Sequence, residues 1–158
     1  MTTAIDSGSR PRRVAVGRWL VRGVAAVVAL AGVAKVADTA SAGTATLHYD
    51  PTLLVGIGAL ELAIAGGAAW WPGRRLPTLA LVAFLLAVTG CLLTVPPGEL
   101  ETIGCQCFGT RFRFQDIRSH LRFNGVLIVL ASVGAWFSAF QPTPDANYGT
   151  RMRCSAPD

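Results

Sequence analysis

The sequence predicts an all-α membrane protein, a bundle of four transmembrane helices with both chain ends on the cytoplasmic side. Three observations predict it. Four apolar runs of similar length divide the chain. Hydrophobic residues make up 52% and charged residues 15%, against roughly 25% charged in an ordinary soluble domain. The charges are also segregated, crowding the tails and connections and leaving the runs nearly bare.

The first run, Trp19 to Ala37, is interrupted by Arg22 and Lys35, and the second, Leu53 to Trp71, holds a single charge, Glu61. The third, Pro77 to Val95, and the fourth, Phe123 to Phe140, hold none. Each approaches the ~20 residues that a helix rising about 1.5 Å per residue needs to cross about 30 Å of hydrocarbon. Helices satisfy every backbone amide within their own segment, as lipid requires. Residues 1–17 are then expected as a disordered cytoplasmic tail and residues 141–158 as a second cytoplasmic tail. Trp19, Trp70, Trp71 and Trp136 fall near run ends, where amphipathic rings favour the interface. Pro72-Gly73 closes the second run, Pro96-Pro97-Gly98 the third, and Pro142 and Pro144 follow the fourth. Gly23, Gly32, Gly56, Gly58, Gly66 and Gly67 are small residues of the kind that let helix backbones approach.

Orientation follows from the arginines. Eight lie in the N-terminal tail, the second connection and the C-terminal tail: Arg10, Arg12, Arg13, Arg18, Arg74, Arg75, Arg151 and Arg153. Four lie in the third connection, Arg111, Arg113, Arg118 and Arg122, and the first connection has neither Arg nor Lys. The excess marks the tails as inside. The same arginines flank hydrophobic runs and form no patch interleaved with aromatics, which excludes a nucleic-acid partner. The alternative for the first run is a cleaved signal peptide ending at Ala40-Ser41-Ala42, but Lys35 interrupts where such a segment stays apolar.

The chemistry lies in the third connection, which reads Ile103-Gly104-Cys105-Gln106-Cys107-Phe108-Gly109. Two cysteines one residue apart can pair only if the backbone turns sharply to bring their Cα atoms within about 4.4–6.8 Å. A strained, exposed disulfide of that kind is readily exchanged. Gly104 and Gly109 supply backbone freedom, and Arg111 and Arg113 favour thiolate over thiol if the loop folds back. On this orientation the pair faces the oxidising exoplasmic space. Thiol exchange, a static bridge that shapes the loop, and a soft-metal site with His120 as the loop's other ligand all fit. Cys91 lies roughly 6 Å inside the outer boundary of the third run, where it reads as a relay thiol or a small hydrophobe; Cys154 reads as idle. Lys35 and Glu61 are costly in a membrane and can pair between neighbouring antiparallel helices, as a lock or as a proton or substrate site. Arg22 lies close enough to the inner face to snorkel.

Together these residues resemble the MauE branch of the DoxX-like membrane proteins, over roughly residues 18 to 140. The likeness rests on Ala31-Gly32-Val33-Ala34-Lys35, on Glu61, and above all on Cys105-Gln106-Cys107-Phe108-Gly109. Asn124 opens the last helix, although Arg122-Phe123-Asn124 departs from the family's Arg-Asn order. The resemblance implies a four-helix protein linked to methylamine utilisation and to maturation of the disulfide-rich small subunit of methylamine dehydrogenase. It also implies an extracytoplasmic thioredoxin-like partner, MauD-like in kind. The expected function is a membrane thiol-disulfide relay, a thiol-disulfide oxidoreductase, through Cys105 and Cys107. By analogy with other four-helix thiol oxidoreductases, a membrane quinone is the candidate cofactor. A non-catalytic scaffold for the thioredoxin-like partner, or a small transporter using Lys35 and Glu61, are the alternatives.

Overall fold

The computed structural model describes residues 10–41, 50–94, 96, 105–108, 112–114 and 116–139, the two strands by their backbone. Four helices are long and apolar enough to cross a membrane: α1 (Arg10–Ser41), α2 (Pro51–Trp70), α3 (Arg75–Thr94) and α4 (Ile117–Ala139). A short antiparallel hairpin of β1 (Cys105–Phe108) and β2 (Phe112–Phe114) precedes α4. This four-helix membrane bundle is the fold class the sequence predicts, with the hairpin as an addition.

Chemistry at the helix ends explains the boundaries. Asp50 caps α2, its carboxylate accepting from the Thr52 amide at 2.7 Å, with Pro51 opening the helix, where a missing N–H costs nothing. Asp116 does the same for α4, accepting from the Arg118 amide at 3.0 Å. α2 ends as Trp71 donates its amide to the Gly67 carbonyl, and Pro72-Gly73 turns the chain. Two expectations are corrected. Residues 10–17, expected in a disordered tail, are helical, and α4 begins at Ile117, so Asn124 lies two turns inside it instead of opening it. In both places basic residues mark the edge of the hydrocarbon while the helix itself continues past it.

The helices alternate in direction, α1 packing on α2 and α4, and α3 closing the ring against α2 and α4. The inward residues recur at helical spacing: Val21, Val24, Ala25 and Val28 on α1; Leu54, Gly58, Glu61, Ala65 and Ala68 on α2; His120, Asn124, Leu127 and Ala131 on α4. Steps of three and four place them on one stripe per helix. Large apolar side chains such as Leu30, Leu60, Leu79, Leu86 and Val129 face outward, as lipid-exposed residues should.

Two glycine pairs set the closest approaches. A Cβ on Gly32 would lie 2.8 Å from the Gly58 carbonyl oxygen, and one on Gly58 would lie 2.9 Å from that of Gly32, locking α1 to α2. Gly17 and Gly134 make the equivalent reciprocal approach between α1 and α4, each 2.9 Å from the other's carbonyl. Of the glycines the sequence singled out, Gly23, Gly56 and Gly66 have open space beside them, and Gly67 meets only Pro77 at 3.8 Å.

Candidate functional site

Two features toward one end of the bundle gather the residues able to do chemistry. The first is the hairpin, with β1 beside α1 and β2 beside α4. Cys105 aligns with Phe114 and Phe108 with Phe112, so three steps along β1 match two along β2. The surplus residue is a β-bulge within the Cys105-Gln106-Cys107-Phe108 segment. The expected sharp turn at the cysteines is therefore corrected to extended backbone with a bulge; alternating aromatics, Phe108, Phe112 and Phe114, favour strand. A bulge bends its strand, increases local twist and re-aims side chains, and such irregularities gather beside active sites. The side chains of Cys105, Cys107 and Arg113 lie outside the described residues, as do Gly104, Gly109, Arg111, Cys154 and the tails at residues 1–9 and 141–158.

The second feature is a buried polar node reaching all four helices. Lys35 of α1 donates to both carboxylate oxygens of Glu61 of α2 at 2.8 Å, with side-chain exposures of 6% and 7%. The neighbouring-helix pair that the sequence allowed is thus formed. It sits where Gly32 and Gly58 bring the two backbones together, and the Lys35 Cβ is itself 3.4 Å from the position of a Gly58 Cβ. Across the bundle, Asn124 of α4 donates its amide to the Thr89 hydroxyl of α3 at 3.3 Å, and Thr89 in turn donates to the Leu85 carbonyl at 2.7 Å. His120, one helical turn before Asn124, is 1% exposed. Glu61, His120 and Asn124 all line a small cavity whose remaining walls include Val28, Leu85 and Leu127.

His120 was expected in a loop, as the one residue there able to complete a metal site with the cysteines. It is instead inside α4 and buried, so its loop placement is corrected. Among the described residues no three His, Cys, Asp or Glu side chains converge as metal ligands do. The period was legible, since His120, Asn124, Leu127, Ala131, Gly134 and Ser138 repeat every three or four residues, but an apolar-run reading starts at Phe123 and passes over it. Asp38, one turn beyond Lys35 on α1, is also buried. Cys91 is a free thiol on the exposed side of α3, while Leu85 and Leu92 face inward. Arg22 donates to the Ala69 carbonyl at 3.4 Å and stacks 5.9 Å from the Trp19 ring, an anchor at the opposite end of α1 from the hairpin.

Four apolar helices, a small extramembrane hairpin and a charge pair inside the bundle define a compact multi-pass protein of the lipid bilayer. The family model described as methylamine utilisation protein MauE matches residues 13–137. The chain belongs to the MauE family, and is a membrane protein associated with methylamine utilisation. No curated protein and no solved structure matches it.

Proposed function

We propose that the protein is a thiol-disulfide relay of the cell membrane, with Cys105 and Cys107 as the exchanging pair on the extracytoplasmic side. The observation that carries this reading is the bulge in β1, which places two cysteines in an irregular, bent strand within the family-matched region. Bent strands strain a short-range disulfide, and strained disulfides exchange readily.

In the oxidising direction, a thiolate of the partner attacks one sulfur of the Cys105–Cys107 disulfide. That S–S bond breaks, a mixed disulfide forms, and the other cysteine leaves as a thiolate. The partner's second thiolate then resolves the mixed bond. The partner ends as a disulfide and the pair as a dithiol, two electrons and two protons having moved between them. Returning the pair to its disulfide passes two electrons and two protons to an oxidant, for which a membrane quinone is the lipid-soluble class. The partner is an extracytoplasmic thioredoxin-like, MauD-like protein, and the task is disulfide formation or maturation of a secreted client such as the methylamine dehydrogenase small subunit. The excess of arginines in the tails and second connection supports the outward placement of the hairpin.

The test is trapping. With one sulfur of the pair removed, the other cannot be resolved internally, so Cys105→Ser or Cys107→Ser should accumulate a mixed disulfide with a thioredoxin-like protein, visible on non-reducing gels. A protein that only recruits its partner would yield no such adduct and would keep its maturation activity in the double variant.

A further inference from the structure

At the end of the bundle away from the hairpin, the start of α3 and the close of α4 stand apart. Between them lies a groove of about 460 Å³, within the range of small-ligand sites. Ala135 and Ser138 of α4 and Thr78 of α3 line it, where larger side chains would close the gap. It opens toward lipid, since Leu79 and Trp136 on its walls are exposed.

The chemistry of the groove changes with depth. Arg74 and Arg75 stand at its rim, while Leu79, Val82 and Ala135 carry it into the membrane-spanning segments. The rise from Arg75 to Val82 is about 10 Å along a helix. The buried hydroxyls on this path are spent on their own helices. Thr78 donates to the Arg74 carbonyl at 3.1 Å and Ser138 to the Gly134 carbonyl at 2.8 Å, so the walls below the rim are apolar in effect. The rim itself is positive. Arg74 stacks 5.5 Å from the Trp71 ring, and among the described residues neither arginine is ion-paired with a carboxylate. The first-turn amides of α3 have no partner within the helix and add to the same potential.

We propose that this groove binds an anionic phospholipid, its phosphate meeting Arg74 and Arg75 and one acyl chain lying along Leu79, Val82 and Ala135 beside Trp136. Guanidinium groups match phosphate oxygens in geometry and charge, and the apolar walls match the chain below. A free phosphate would leave those walls unused. A quinone has no charge for two guanidinium groups to meet, and a second copy seated by a two-fold contact would bring like charges together. The site lies in whichever leaflet holds the α2–α3 turn and uses no cysteine, so it stands apart from the thiol relay.

Native mass spectrometry of the full chain in neutral detergent tests it, with phosphatidylglycerol and phosphatidylcholine of identical acyl chains added in equal amounts. The wild type should retain phosphatidylglycerol about thirtyfold more, each arginine contributing about fivefold against an anionic headgroup. Arg74→Gln/Arg75→Gln should abolish that preference. Ala135→Phe, which fills the groove and keeps both charges, should lower retention of phosphatidylglycerol. Arg12→Gln/Arg13→Gln removes equal charge from the same end of the bundle, outside the groove, and should leave the preference intact. Equal retention of the two lipids by the wild type, which needs no variant to fold, overturns the proposal. A preference lost equally in both arginine variants overturns it too, as does displacement of the lipid by inorganic phosphate or by an added quinone.

Discussion

Lys35 and Glu61 are each more than nine-tenths buried between helices that otherwise face lipid with leucine and valine. Two such charges survive there because each oxygen of the carboxylate receives its own hydrogen bond from the ammonium group, which offsets part of the cost of leaving water. Removing one partner strands the other. Lys35→Met should therefore destabilise the bundle by about 3–5 kcal/mol, whereas Lys35→Met/Glu61→Leu should recover most of that loss. Denaturation in mixed micelles reads both, and a double variant as weak as the single one would show that the single change damages something other than the pair. Packing is equally local at the glycines. Gly32→Ala pushes a methyl group against the Gly58 carbonyl and should cost about 1–3 kcal/mol by overpacking. Gly23→Ala has nothing within 4 Å to strike and should be tolerated in the same assay.

At the scale of the element, helix ends and the hairpin decide what each segment can do. The Thr52 amide holds the Asp50 carboxyl below its ordinary value of 3.8, and the Arg118 amide does the same for Asp116. A carboxyl group whose native value is depressed stabilises the fold above that ordinary value, and the contribution disappears as pH falls through the depressed one. Asparagine caps a helix comparably without titrating. An Asp50→Asn/Asp116→Asn variant should accordingly lose less stability than the wild type between about pH 5 and about pH 3, which an acid denaturation series followed by circular dichroism would show. The apolar runs made the spanning helices legible, because lipid imposes length and hydrophobicity on them directly. They did not reveal how far α1 and α4 extend, since Arg12, Arg13, Arg118 and Arg122 continue each helix beyond the hydrocarbon edge without breaking it. Lys35 and Glu61 stood out as lone charges in apolar runs. His120 stood out only as a loop residue, because it precedes the fourth run and only the three-and-four spacing with Asn124 and Leu127 places it inside the bundle. Gly17 was hidden for the same reason, lying among arginines that read as a tail. The strand at Cys105–Phe108 was missed because the Gly-flanked cysteines read as a bend, while the aromatic alternation that favours pairing lay partly beyond them, in Phe112-Arg113-Phe114.

For the whole molecule, the antiparallel ring places the hairpin at the same end as the close of α1 and the start of α2, with the polar node between the helices below it. The other end gathers the start of α1, the Pro72-Gly73 turn and the close of α4, together with the Arg74–Trp71 stack at 5.5 Å. A relay needs its sulfurs at the former end, accessible from the oxidising side, and able to open and close while the bundle stays intact. The most direct measurement is a redox titration of intact cells or right-side-out vesicles with a membrane-impermeant maleimide, the modified cysteines being read by peptide mass. Cys105 and Cys107 should resist the reagent under oxidising buffer, become labelled together after mild reduction, and be protected again on reoxidation. Labelling that requires permeabilised membranes, or thiols that never change state across the titration, would contradict it.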